Sequence, residues 1–206
     1  MDVIMEKIIN TDISPTTLLR GPVQLVFAIK HGLLPEHYFL EIGCSKLFCG
    51  QNFIIYLDRD RYMAVDVENI ERNRLYVKQH EVLRSKNPKL LLLSKPISIN
   101  PESLITFDHI DMAIGFNIFT HNPLSTLVNW INYLSNKTSQ MFINLNIAED
   151  SGNENGTLFW VTEKEFYKYV EGICCLERLE PLPGTKNNEA WKYNLHLTQW
   201  VYKITY

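Results

Sequence analysis

A chain of 206 residues with 46% hydrophobic and 21% charged residues and a net charge of −3 fits one domain with a substantial buried core. The slightly acidic balance excludes a nucleic-acid binder driven by bulk charge. No run of about 18 apolar residues is long enough to span a membrane, and Met1-Asp2-Val3-Ile4-Met5 lacks the basic and apolar regions of a secretory signal, so a cytoplasmic protein is expected.

In chain order, residues 1–13 carry little signal. Ser14-Pro15 reads as a helix start, with serine as cap and proline at the first helical position. Leu18, Leu19, Val23, Val26, Phe27 and Ile29 follow at mostly helical spacing. Gly21-Pro22 interrupts them and predicts a break, then a second helix to about Lys30. A strand is expected over residues 38–43, a helix over 49–57 and a second strand over 62–67 with Asp66 near its end. The polar stretch 68–83 reads as one helix, ended by Asn87-Pro88. Four consecutive leucines in 89–94 suit a parallel strand buried on both faces. Residues 101–107 read as a connector and 111–116 as a fourth strand. Residues 124–134 form an amphipathic helix with Leu127, Val128, Ile131 and Leu134 on one side, and 141–147 a fifth strand. The polar, glycine-containing stretch 149–156 is expected to be a mobile loop. Thr162 and Glu165 make a capping box for a helix through Tyr169. Strands over 173–179 and 193–206 close the chain as an antiparallel edge pair.

This order predicts an α/β fold: a doubly wound, mostly parallel seven-stranded sheet with an antiparallel edge strand and N-terminal helices. The chain divides into a helical cover (1–36), a core (37–147) and a C-terminal helix with edge strands (148–206), all in one domain. Cys44, Cys49, Cys174 and Cys175 read as free thiols packed in the core. No ligand partners stand at metal spacing around them.

The stretch from Tyr38 to Asp66 is the grammar of a nucleotide-binding βαβ unit: strand, glycine turn, helix, strand, acid. Glycine lets backbone approach a ligand, and an acid about 20 residues on can take both hydroxyls of a ribose. Ligands in such sheets sit outside the carboxyl ends of the strands, where Glu41, Gly43, Asp66, Asn117, His121 and Asn146 should all fall. The bland alternatives are a surface acid at Asp66, a backbone-tied buried acid at Glu41, and a structural histidine packed on Phe119 at His121.

Leu40-Glu41-Ile42-Gly43-Cys44 resembles the first motif of Rossmann-fold (class I) S-adenosylmethionine-dependent methyltransferases. One subset of that family continues Gly-Cys-Gly-Ser-Leu-Arg-Gly-Gly. This chain keeps Gly43, Cys44, Leu47 and Gly50. It has Ser45 and Cys49 where the subset has glycines, and Lys46 and Phe48 where it has serine and arginine. Ile118-Phe119-Thr120-His121, after Ile110-Asp111-Met112-Ala113-Ile114, resembles the family's fourth strand and its continuation, so the resemblance covers roughly residues 18–147.

The resemblance implies S-adenosylmethionine as cofactor, held by Glu41, Gly43, Cys44, Ser45, Gly50, Asp66 and Asn117. Arg20 and Gln24 of the cover would line the site, and His121 would be a general base or would orient the methionine end. At the end of the third strand the family often has an acid or polar residue toward adenine; here Ser94-Lys95-Pro96-Ile97 offers no acid. The expected reaction is methyl transfer to a small-molecule or sugar acceptor, most simply a hydroxyl. The alternative is a catalytically inactive methyltransferase-like protein that binds a protein partner, or the cofactor without turnover, for which Ser45 and Cys49 in place of glycines and the missing acid toward adenine speak. A nicotinamide enzyme needs more glycines at the turn than Gly43 and Gly50 supply.

Overall fold

Alternation along the strands assigns the two faces of a central sheet. The computed structural model describes residues 15–93, 107–182 and 198–206. β1 (Phe39–Ile42) pairs in parallel with β2 (Tyr62–Asp66) on one side and β4 (Met112–Gly115) on the other. β3 (Lys89–Leu92) extends the sheet beyond β2, and β5 (Gln140–Ile147) beyond β4. β9 (Thr198–Thr205) runs antiparallel between β5 and the outer strand β8 (Cys175–Leu179). The strand order is therefore β3-β2-β1-β4-β5-β9-β8, the seven-stranded doubly wound sheet with an antiparallel edge expected from the sequence. Its order reverses between β1 and β4, and the crevice outside their carboxyl ends is where such sheets bind ligands.

Leu40 and Ile42 point into one core with Met63, Val65, Ile143 and the helix α5 (Leu124–Leu134). Phe39 points to the other, where it stacks on Phe53 of α2 (Gly50–Tyr56). Trp130 and Ile131 of α5 are essentially buried; Val128 is only partly so, so Trp130 takes the place expected for it.

Several expectations change. In the described part of the N-terminal cover, α1 (Pro15–Lys30) is one continuous helix that includes Gly21-Pro22. Pro22 lies on the exposed side, while Gly21 faces α2, where a Cβ would come within 2.8 Å of the Phe48 carbonyl oxygen. The polar stretch after β2 forms two helices, α3 (Ile70–Gln79) and α4 (Glu81–Ser85), parted at His80, whose backbone is extended and whose Nδ1 bonds the Tyr76 carbonyl. β3 is an outer strand, so Leu92 is half exposed and not buried on both faces. Cys44 is buried, whereas Cys175 on the edge strand is exposed, against the packing expected for it; all four thiols are free.

The stretch read as a mobile loop is in large part a hairpin, β6 (Gly152–Glu154) and β7 (Leu158–Trp160). Thr157 N–H closes its turn on the Glu154 carbonyl at 2.9 Å. Asn155 and Gly156 both take positive φ, 48° and 69°, the pair of conformations that a primed hairpin turn requires. α6 (Glu163–Val170) starts as read: the Thr162 hydroxyl accepts the Glu165 N–H at 3.0 Å. The return arm of that box runs through Ser151, whose hydroxyl accepts the Thr162 N–H and donates to the Glu165 carboxylate. Residues 1–14, including Ser14, the segment with Ser94, Lys95, Pro96 and Ile97, and the start expected for the last strand at 193–197 lie outside the described residues. Among the described residues no helix is long and apolar enough to cross a membrane.

Candidate functional site

At the end of β1 the chain must turn sharply over the end of β2 to enter α2. Gly43, at φ +80°, makes that turn while its N–H still bonds the Val65 carbonyl at 2.8 Å. A Cβ there would stand 2.8 Å from Ile118 Cβ, so this position needs glycine for both its conformation and the close approach of the β4 side. Ser45 and Leu47 continue the turn at φ 46° and 59°, conformations that cost a side-chain-bearing residue roughly 1 kcal/mol or more each.

Two side chains hold the turn in place. Asp66, the last residue of β2 and 6% exposed, accepts the Ser45 N–H on Oδ2 at 2.6 Å and the Glu68 N–H on Oδ1 at 3.0 Å. Asn73 of α3, buried, donates to the Ser45 carbonyl at 2.7 Å and to Cys44 Sγ at 3.7 Å. The acid and the turn that sequence spacing paired are thus in direct contact. Ser45 is nonetheless exposed, as is Lys46.

Glu41 and Gly50 lie beneath the turn. The Tyr62 hydroxyl donates to Glu41 Oε2, and Gly50 packs so closely against the pair that a Cβ would stand 2.7 Å from Glu41 Oε2. Burial pushes the Glu41 carboxyl up to about 7, against the lowering effect of the Tyr62 bond and with a small further push from Asp66. Burial also raises both nearby thiols, Cys49 to about 12 and Cys44 further, so neither is a nucleophile at neutral pH. Arg20 of α1 is exposed and close enough to Cys49 for its charge to oppose that rise. Gln24, one turn on, is 5% exposed.

The end of β4 is braced from β5 and β9. Asn117, at φ 60°, donates its N–H to Asn144 Oδ1 at 2.6 Å, and its own Oδ1 accepts from Asn144 Nδ2 at 3.0 Å and Gln199 Nε2 at 3.2 Å. Phe119 packs directly on Gly115, where an added Cβ would lie 3.2 Å from Phe119 Cδ2, and so seats the short 3-10 turn Phe119–His121 against the strand end. His121 is exposed at the tip of that turn. Its Nδ1 lies 2.8 Å from the Thr157 carbonyl oxygen of the hairpin turn. Asn146 ties β5 to the same hairpin through the Phe159 carbonyl at 3.0 Å.

Sequence reading missed Asn73, Asn144, Gln199 and Thr157, which come to the site from distant segments. A signal did exist for the hairpin: Asn155-Gly156 between Asn153-Glu154 and Leu158-Phe159-Trp160 is a hairpin-turn dipeptide before an apolar run. Among the described residues no group of three or more histidines, cysteines and carboxylates could hold a metal ion.

This architecture is that of class I S-adenosylmethionine-dependent methyltransferases, matched over nearly the whole chain. An S-adenosylmethionine-dependent methyltransferase from Clostridium acetobutylicum is 11% identical with a TM-score of 0.61, covering 98% of this chain and 96% of its own. Magnesium protoporphyrin IX methyltransferase from Synechocystis, with S-adenosylmethionine bound, is 10% identical with a TM-score of 0.63 over 95% of this chain and 86% of its own. The methyltransferase domain of a bacterial Hen1 is 15% identical with a TM-score of 0.59 over 92% of this chain and all of its own. At these identities the likeness is one of fold. No protein-family model and no curated protein matches the sequence.

Proposed function

We propose that the protein is an S-adenosylmethionine-dependent methyltransferase acting on a small-molecule or sugar acceptor, with a hydroxyl as the methylated group. One observation carries this reading: at the switch point of a methyltransferase fold, the positive-φ turn at Gly43 and Ser45 meets the carboxylate of Asp66. An ionised carboxylate has about four acceptor directions. Two of Asp66's are taken by the Ser45 and Glu68 amides, leaving two for the hydroxyls of a ribose. The residues present therefore fit the ribose end of such a cofactor.

When bound, the cofactor supplies a methyl group already activated on a sulfonium. The chain's own work is alignment and exclusion of water. Gly43 to Ser45 form the floor beside Asp66, and Arg20 and Gln24 of α1 would line the site from the cover, Arg20 lying near enough to Cys49 for its charge to act there. Asn117, its amide oxygen occupied by Asn144 and Gln199, braces the end of β4. His121, beyond that end, receives the proton of the acceptor hydroxyl.

Calorimetric titration with S-adenosylmethionine and S-adenosylhomocysteine tests the reading. Binding is expected, weakened by roughly 1.5–3 kcal/mol in Asp66→Ala through loss of charge-assisted hydrogen bonds. A second reading, a methyltransferase-like protein without turnover that binds a protein partner, draws on the same contact: the nearly buried Asp66 already holds the Ser45 amide. Absence of heat at high protein concentration would favour it.

A further inference from the structure

We infer that the β6–β7 hairpin is a positioning device for His121: the backbone carbonyl of Thr157 fixes the proton of the neutral imidazole on Nδ1 and leaves Nε2 bare as the proton acceptor. The inference rests on the reading of His121 as a base and adds what orients it. A carbonyl oxygen can only accept, so the 2.8 Å contact with Nδ1 requires an N–H there. In the neutral ring the other nitrogen then carries the lone pair. In water a free neutral histidine prefers the opposite tautomer, with its proton on Nε2, so the hairpin contact selects against the default.

The hairpin is built to hold that carbonyl. Asn155 and Gly156 supply the two positive-φ residues of the turn. The Gly156 N–H is fixed by Asn153 Oδ1 at 2.9 Å, and the Thr157 hydroxyl bonds the Glu154 carbonyl at 2.9 Å. At its base, β7 is tied to β5 by Asn146 and by the bridge from Ile147 to Val161. On the other side, Gly115 and Phe119 seat the turn that carries His121. The contact therefore joins two braced elements that lie 36 residues apart in sequence. Thr157 acts through its backbone, so replacing its side chain would not remove the contact; the turn has to be opened.

Long-range proton–nitrogen correlation spectra of the full-length, nitrogen-15-labelled protein in mildly alkaline buffer read the tautomer directly, without an acceptor substrate. Two histidines are internal standards. His80, whose Nδ1 meets the Tyr76 carbonyl at 2.7 Å, should show the proton on Nδ1. His37, whose Nδ1 accepts the Leu34 N–H at 3.2 Å, should show it on Nε2. His121, assigned by loss of its signals in His121→Gln, is expected to match His80.

Gly156→Val places a branched side chain at φ +69° and should open the turn, returning His121 to the Nε2–H form while His80 is unchanged. Asn155→Gly keeps the turn and should leave His121 as in the wild type. If Gly156→Val does not fold, Asn153→Ala, which removes the acceptor of the Gly156 N–H, gives the same comparison in milder form. An Nε2–H pattern at His121 in the wild type, or an Nδ1–H pattern that survives in the turn-opening variant, would overturn the inference. Cofactor titration of the same samples separates the two failures. Binding with the wrong tautomer removes the hairpin's role alone. The expected tautomer without binding removes the methyltransferase reading and leaves the hairpin contact standing.

Discussion

Removing the Asp66 carboxylate would strand the amide hydrogens of Ser45 and Glu68. Asp66→Ala is therefore expected to lower unfolding stability by about 1–3 kcal/mol with no ligand present, measured by urea denaturation, in addition to its effect on cofactor binding. Wild-type stability would mean that these amides find water instead and that the turn is not held by the acid. Ser45 poses the opposite case. Its side chain is exposed although its backbone is clamped from both sides, so Ser45→Gly trades relief at φ 46° against a more flexible unfolded chain. Stability should change by less than about 1 kcal/mol and cofactor affinity by no more than a few-fold. A large gain in affinity would show that the serine side chain obstructs the pocket. Gly50 belongs with Glu41: Gly50→Ala pushes a methyl group into the Glu41–Tyr62 pair and should destabilise by about 1–3 kcal/mol, whether or not a cofactor is present.

At the scale of elements, the start of α6 rests on a cap that sequence alone revealed and a bridge that it did not. Thr162→Ala should cost about 1 kcal/mol by removing the acceptor of the Glu165 N–H. Ser151→Ala should cost part of the same energy and couple to it in a double-mutant cycle, because the Ser151 hydroxyl joins the Thr162 N–H to Glu165. Strict additivity of the two losses would mean that Ser151 is not part of the cap. Helix α1 teaches a related lesson. Gly21-Pro22 is a helix breaker in isolation, yet the helix continues because Gly21 lets it lie directly on the Phe48 backbone and Asn52 of α2, and that packing outweighs the local preference.

For the whole molecule, the buried Glu41 makes stability depend on pH in an unusual direction. Its carboxyl has an unfolded reference of 4.5 and rises to about 7 in the fold, through burial first. Between these values the native state binds more protons than the unfolded chain, so stability is fullest below about 4.5 and falls as pH rises through about 7. The loss attributable to this group across the window is of order 3 kcal/mol. Glu41→Gln keeps an acceptor for the Tyr62 hydroxyl and removes the charge, so its urea midpoint should vary less between pH 5 and pH 8 than that of the wild type (roughly the window of maximal stability for ordinary proteins). Parallel curves for the two proteins would place the titration elsewhere.

Local pattern determined much of this protein. Short apolar runs, the glycine at the end of β1 and the spacing from that turn to Asp66 made the doubly wound sheet, its antiparallel edge and the turn–acid pair legible, because strand runs and turn chemistry act over a few residues. The cap at Thr162 and the helix over Leu124–Leu134 were legible for the same reason. Tertiary structure alone decided what the polar groups at the sheet's edge do. Asn73 reaches Ser45 across 28 residues, Gln199 reaches Asn117 across 82, and Thr157 reaches His121 across 36. No local rule links such pairs. A side chain's partner is set by which strand ends the topology brings together, and a buried amide or carboxylate bonds whatever donor or acceptor that meeting supplies.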